Sequence, residues 1–145
     1  MQVEILWSPD GSAAGVNPSG WISQDLFCEY LQHFVKHSRA SSEQKKLLIL
    51  DNHELHISLN AVNIAKANGI VLLTVPPHSS HRIQPLEVNI FSPFKPKYNR
   101  PMDNWMLNDP GKTVTIYDIA GLVGTSFPCA FTPSNIQSGF AKSGI

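Results

Sequence analysis

The sequence predicts an α/β fold built around a parallel strand–helix–strand core. Four apolar residues, Leu47 to Leu50, lead directly into Asp51, which is typical of a buried strand that delivers an acid to the end of a sheet. A second apolar run, Ile70 to Val75, follows a helical pattern that begins near Ser58. Strand, helix and strand within about 30 residues form a crossover unit, which we expect to be right-handed. The carboxyl ends of both strands then lie on one side of the sheet.

The composition fits one globular domain without a global charge. The 145 residues include 11 basic and 11 acidic side chains, for a formal net charge of zero, and 42% of the residues are hydrophobic. Any contact with DNA must therefore come from a local basic patch. Cys28 and Cys129 form neither a disulfide framework nor a zinc-binding spacing, and the N-terminus lacks the features of a signal peptide. We expect a soluble intracellular protein without a membrane-spanning segment.

Residues 1–20 are predicted to be a loop-rich lead-in. They contain two prolines, three glycines and three serines without a sustained period, and only Val3 to Trp7 could be the remnant of a strand. From Ser23 to His37 the apolar residues follow helical spacing, with Ser23 as the N-cap. We expect this helix to lie against the sheet. Its apolar face consists of Leu26, Phe27, Tyr30, Leu31, Phe34 and Val35.

The crossover helix and its end are also predicted from local signals. Ser58 can cap a helix that continues to about Ala67, and Asn68-Gly69 is expected to stop it in a left-handed turn. The residues predicted to face inward are Leu59, Val62 and Ala65.

The chain beyond Glu87 is predicted to be mostly helical. Val88 to Tyr98 has roughly helical apolar spacing, but Pro93 and Pro96 are expected to kink or interrupt it. Further on, Thr115 to Val123 predicts one helix, and Thr132-Pro133 opens another that ends near Gly144. Trp21 and Trp105 are expected to be packing residues. The predicted domains are the lead-in 1–20, a core 21–100 and a helical C-terminal extension 101–145.

Several short motifs follow one another in a distinctive order. They are Leu48-Ile49-Leu50-Asp51-Asn52-His53, Pro76-Pro77-His78, Ser80-His81-Arg82, Gln84-Pro85-Leu86-Glu87 and Phe91-Ser92-Pro93-Phe94-Lys95. In this order they resemble the catalytic core of DDE superfamily transposases, and most closely the pogo/Tigger-like group with its jerky-like relatives. The resemblance implies a partial ribonuclease H-like fold, truncated at its N-terminus, and an ancestral activity of metal-dependent DNA cleavage and strand transfer. It also implies DNA as the partner, a nuclear location and no small-molecule substrate.

The resemblance assigns catalytic and metal-binding roles to Asp51 and Glu87, as the second and third acids of the family. Acids at strand and helix ends can hold two Mg²⁺ or Mn²⁺ ions roughly 4 Å apart. Glu87 replaces the aspartate usual in this branch, and we expect the replacement to be tolerated. Asp10 and Asp25 are not at the end of an apolar strand, so we expect the first acid to be missing. Metal binding should then be weak or absent, and the chain alone inactive.

The same resemblance suggests residues that contact DNA. His53 and His81 would lie beside the metal or the DNA backbone, while the cationic side chains would contact phosphates. These cations are Arg82, Lys95 and Lys97. The simpler interpretation of such a small cluster is a solvated face with aromatic residues packed behind it.

Other interpretations of these residues remain open. The imidazoles of His53, His56, His78 and His81 could bind zinc or another transition metal, although histidines that merely hydrogen-bond the loops are more common. If the sequence is part of a longer protein, the whole could be an active transposase or endonuclease. Alternatively, an exposed sheet edge could bind a protein partner or a second copy of the chain.

Overall fold

The computed structural model describes residues 8–145, so the predicted strand remnant Val3 to Trp7 lies outside the described residues. The chain divides into two compact units. We call residues 15–80 the sheet unit, and residues 8–14 together with 81–145 the helical unit. The three domains predicted from the sequence remain a prediction, and one helix continues across residue 100.

The sheet unit contains the predicted strand–helix–strand core. Its elements are α1 (Gln24–Ser38), β1 (Lys46–Leu50), a 3-10 helix (Glu54–Ile57), α2 (Leu59–Ala67) and β2 (Ile70–Thr74). The two strands pair in parallel, with Lys46 opposite Ile70 and Leu50 opposite Thr74. Among the described residues the sheet has only these two strands. The arrangement is compatible with an α/β fold, and the ribonuclease H-like assignment remains a prediction.

Local capping chemistry sets the ends of both helices in the sheet unit. The hydroxyl of Ser23 accepts a hydrogen bond from the backbone N–H of Leu26, and that of Ser58 accepts one from Ala61. These N-caps are as predicted, because a hydroxyl satisfies an amide that has no partner inside the helix. Gly69, with φ of +68°, supplies the predicted left-handed turn between α2 and β2.

One hydrophobic cluster fills the sheet unit. It joins α1, the 3-10 helix, α2 and both strands through Phe27, Leu31, Leu50, Leu55, Ala61, Ala65 and Ile70. The helix α1 therefore shares a core with the sheet, as expected.

Two packing predictions in the sheet unit are wrong. Leu59 was expected to face inward, yet it is 76% exposed, whereas Ala61 and Ala65 are buried. The two alanines lie four residues apart on one face, and Leu59 lies two residues before the first of them, so the helical rotation of about 200° carries its side chain to the opposite side. Trp21 is 80% exposed rather than packed. It precedes the cap of α1, and no element among residues 8–145 covers it.

The helical unit follows with five helices. They are α3 (Ser80–Ile83), which starts at the last residue of the sheet unit, α4 (Pro85–Asn89), α5 (Phe91–Asn108), α6 (Ile116–Ala130) and α7 (Pro133–Ser143). Within the unit α5 packs on α6, and α4 packs on α7. Helix α7 begins after the N-cap Thr132 and ends at Gly144, as predicted. Helix α6 continues past the predicted end at Val123 to Ala130.

The expected interruption at Pro93 and Pro96 does not occur, and the alternative of a kink remains a prediction. Helix α5 is continuous, with Pro93 in its first turn and both Pro96 and Pro101 inside it. A proline lacks the N–H that would bond the carbonyl four residues earlier, so Pro101 leaves the carbonyl of Lys97 without its helical donor. The hydroxyl of Ser126 in α6, only 1% exposed, lies 2.9 Å from that carbonyl oxygen and 2.7 Å from the carbonyl oxygen of Leu122 in its own helix, so its single proton is shared between two acceptors. A neighbouring helix thus supplies part of the bond that the proline removes.

Candidate functional site

Asp51 lies where the sequence predicts, directly after the carboxyl end of β1. Its Oδ1 atom is 2.7 Å from Nδ1 of His56, and the same oxygen accepts a hydrogen bond of 3.4 Å from the backbone N–H of His53. The side chain of Asp51 is 50% exposed and that of His56 only 14%. The contact is an ion pair whenever the imidazole is protonated. One face of this carboxylate therefore remains open to solvent while its Oδ1 is occupied.

The protein core holds the imidazole that contacts Asp51. The ring of His56 packs against the ring of Phe27 in α1, with 4.5 Å between centroids. The buried side chain of Leu55 anchors the same 3-10 helix, which is capped by Nδ1 of His53 accepting from the amide of Leu55. From the sequence, His56 is predicted only as one ligand of the alternative zinc site. No local pattern reveals its pairing, because the 3-10 turn is what brings position 56 back to position 51.

The third acid of the prediction lies in the helical unit. Glu87 is in the first turn of α4, after Pro85 at the start of the helix, and its side chain is exposed. This agrees with its predicted place at the head of a helix, where a carboxylate is favoured by the helix dipole. The assignment of Asp51 and Glu87 to one catalytic and metal site remains a prediction.

The predicted DNA-contact residues are all exposed. His53 lies in the sheet unit, where it caps the 3-10 helix. Within residues 8–145 the ion pairs are those of His56 with Asp51 and of Lys112 with Asp109. None of the three predicted cations therefore has a carboxylate partner in this part of the chain. The predicted DNA-contact residues in the helical unit are His81 and Arg82 in α3, and Lys95 and Lys97 in α5.

The described residues do not fit a two-metal site as they stand. Between residues 8 and 145, no group of three or more histidine, cysteine or acidic side chains is arranged to hold a metal ion. This finding also leaves the four-histidine zinc alternative without support. A two-metal site needs several carboxylate oxygens, whereas Oδ1 of Asp51 is already engaged by His56. Weak or absent binding of Mg²⁺ or Mn²⁺ remains a prediction.

A shallow pocket of about 390 Å³ lies between α1 and α2. Burial, with a smaller contribution from the charge of Asp25, raises the pKa of the Cys28 thiol at this pocket, so the thiol stays protonated. None of the predicted site residues lines the pocket. Its lining consists of Asp25, Cys28, Glu29, Asn60, Asn63 and Ile64.

Comparison with known families decides the class of the protein. A family model described as DDE superfamily endonuclease matches residues 11–140. The chain belongs to the DDE superfamily endonucleases. This family acts on DNA and generally uses divalent metal ions. The resemblance noted in the sequence is thereby confirmed at the level of the superfamily.

The chain also matches a short part of a much longer curated protein. The chain is 34% identical over 138 residues to a protein of Cochliobolus lunatus named MFS-type transporter clz9. The match covers 94% of this chain but only 15% of that relative, so the chain spans about a seventh of its length. In the part of the chain that the structure describes, no helix is both long enough and apolar enough to cross a membrane. No solved structure matches the chain.

Proposed function

We propose that this DDE endonuclease chain associates with DNA and, by itself, does not cleave it. We further propose that it descends from the pogo/Tigger-like branch, has a partial ribonuclease H-like fold and acts in the nucleus. The observation that carries the proposal is a set of exposed cations without carboxylate partners, in a chain whose family acts on DNA.

The electrostatics of the helical unit support association with DNA. Arg82, Lys95 and Lys97 are exposed, and α5 contains no acid before Asp103. Each cation that neutralises a phosphate releases counterions, and this release drives binding without any sequence preference. Because the net charge of the whole chain is zero, binding depends on this local surplus of positive charge.

The surroundings of Asp51 support the proposed lack of cleavage. We infer that Asp51 and Glu87 occupy the positions of the second and third family acids, as the resemblance implies. Of the other candidates, Asp10 lies in a turn and Asp25 in the first turn of α1, so neither follows a described strand. Two carboxylates, one of them bound to an imidazole, give too little negative charge to hold two dications. In this chain Asp51 instead orders the loop that follows β1.

Binding of a labelled duplex at several salt concentrations tests the association. The triple variant Arg82→Gln/Lys95→Gln/Lys97→Gln should lower the salt dependence, the slope of log K against log [salt], by about 2 to 3. A matched variant, Lys36→Gln/Lys45→Gln/Lys66→Gln, removes three exposed charges from the sheet unit and should leave the slope nearly unchanged. Equal losses in both variants would show only a general charge effect. No binding by the folded chain would favour the protein-interaction alternative.

Nicking of supercoiled plasmid in the presence of Mn²⁺ tests the proposed inactivity. We expect no nicking by the folded chain and none by Asp51→Asn, which keeps the size of the side chain. Nicking that is lost in Asp51→Asn would overturn the inactivity and support the active endonuclease alternative. Nicking that persists in the variant would point to a contaminating nuclease and would be settled by repurification.

A further inference from the structure

We propose that α1 carries a binding site for a transition-metal ion, formed by the imidazoles of His33 and His37. The two residues are four apart in the second half of α1, and their ring centroids are 4.3 Å apart. The site is separate from Asp51 and does not depend on the proposed function.

The geometry of the pair suits one shared ion. Residues four apart lie on the same face of a helix, so the backbone of α1 holds both rings side by side. Imidazole nitrogens bind such ions at about 2.0–2.1 Å, which puts the centroids of two rings on a common ion about 4.5 Å apart at a 90° angle and about 5 Å apart at the tetrahedral angle. The observed separation of His33 and His37 is slightly shorter than both values. Binding therefore needs the two rings to move slightly apart and turn their nitrogens toward the ion, and the 90° angle of a tetragonal site needs the smaller movement.

The ring nitrogens of this pair are available, unlike those of the other histidine pair in the sheet unit. Nδ1 of His56 contacts Asp51, and Nδ1 of His53 accepts from the amide of Leu55. Within residues 8–145, by contrast, no ring nitrogen of His33 or His37 forms a hydrogen bond with another protein group. His37 is exposed and His33 half-buried, so an ion can approach from solvent and water can complete its coordination.

The charges around the pair act in both directions. His37 is in the last turn of α1, where the partial negative charge of the helix terminus attracts cations. Glu29 lies one further turn before His33 on the same face and adds a negative charge. Lys36 and Arg39 are nearby cations that oppose binding.

Imidazole ligands determine which ions the site accepts. They suit Cu²⁺, Ni²⁺ and Zn²⁺, whereas Mg²⁺ and Mn²⁺ prefer carboxylate and water oxygens. We therefore expect affinity to be highest for Cu²⁺, lower for Ni²⁺ and Zn²⁺, and negligible for Mg²⁺. This preference separates the site from the hard-ion chemistry of the DDE endonucleases.

Calorimetric titration of the full chain with NiCl₂, in a buffer above pH 7, tests the site. One ion should bind per chain, and His37→Gln should weaken binding at least about tenfold because the second ligand no longer acts at high effective concentration. A matched double variant, His37→Gln/Gln32→His, keeps six histidines but places the pair at adjacent positions that face different directions. It should bind as weakly as His37→Gln. His78→Asn, which removes an exposed histidine with φ of +61°, should bind like the parent.

Ring resonances of the histidines, followed by NMR during the same titration, identify the ligands directly. Those of His33 and His37 should shift together at one equivalent, and circular dichroism verifies that each variant is folded. Unchanged affinity in His37→Gln, restored affinity in the double variant, shifts confined to His53 and His56, or no binding by the parent chain would each overturn the proposal.

Discussion

Replacing Gly69 by alanine probes the turn that sets β2 beside β1. The carbonyl of Gly69 accepts a hydrogen bond of 3.0 Å from the amide of Lys46, the first bond of the parallel pair. Gly69 has a positive φ of +68°, and a Cβ atom there would overlap the backbone carbonyl of Ser41. A backbone atom cannot rotate away as a side chain can. The variant must therefore shift the entry to β2 or the loop after α1.

The expected loss of stability in Gly69→Ala has two contributions. The left-handed conformation costs a residue with a Cβ atom about 1–2 kcal/mol, and forcing an extra methyl group into a packed site costs about 1–3 kcal/mol more. Gly69→Ala should therefore lower the free energy of unfolding by about 2–5 kcal/mol, a large share of the 5–15 kcal/mol typical of whole proteins.

The same substitution at a second glycine separates the conformational cost from the steric cost. Gly20 is in the same unit with φ of +72°, but no atom lies within 4 Å of the place its Cβ would occupy. Gly20→Ala should therefore show the conformational term alone, about 1–2 kcal/mol. Urea unfolding followed by circular dichroism gives both values. If the two variants lose the same free energy within about 0.5 kcal/mol, the close packing of Gly69 against Ser41 is refuted.

Two further predictions concern the helical unit. Ser126→Ala should destabilise it by about 0.5–1.5 kcal/mol, because the carbonyl of Lys97 loses a donor that it shares with the carbonyl of Leu122. Thr125→Ala, which removes an exposed hydroxyl from the adjacent position, should cost clearly less, and equal losses in urea unfolding would contradict the role of Ser126. Thr115→Ala should lower stability by about 1 kcal/mol, since Thr115 and Asp118 form a capping box at the start of α6. The hydrogen bond from the Thr115 hydroxyl lowers the pKa of Asp118. A carboxylate with a lowered pKa in the folded state contributes stability that is complete above its unfolded pKa of about 4 and is lost as the pH falls through the folded pKa. The parent chain should thus lose this contribution below about pH 4. An acid unfolding profile that is the same in Thr115→Ala as in the parent would contradict this prediction.

Local chemistry made part of this structure predictable. The caps Ser23, Ser58 and Thr132 and the glycine turn at Gly69 follow from hydroxyls and glycines acting on residues a few positions away, and such signals are complete within the sequence. The place of Asp51 at the end of β1 follows from the apolar run before it. Each of these features depends on backbone rules that hold in any surroundings.

Features that depend on distant parts of the chain were not predictable in the same way. The exposure of Leu59 results from which face of α2 meets the core, and two alanines rather than a leucine meet it. The side-chain donor to the carbonyl of Lys97 in α5 is Ser126, 29 positions further along the chain. The partner of Asp51 is set by a 3-10 turn that no periodicity marks. In each case a tertiary contact outweighs the local preference.

Because of its prolines, α5 depends on packing against α6 to remain helical. No side chain caps its start, and both Pro96 and Pro101 remove bonds from its own backbone, so a peptide of residues 91–108 should be largely unstructured in water. Its Lys95 and Lys97 keep their spacing only while α6 is folded against it. Affinity for DNA should consequently report on the folding of α6, and substitutions far from any phosphate could abolish binding. A short synthetic copy of α5 would make a poor competitor for the same DNA.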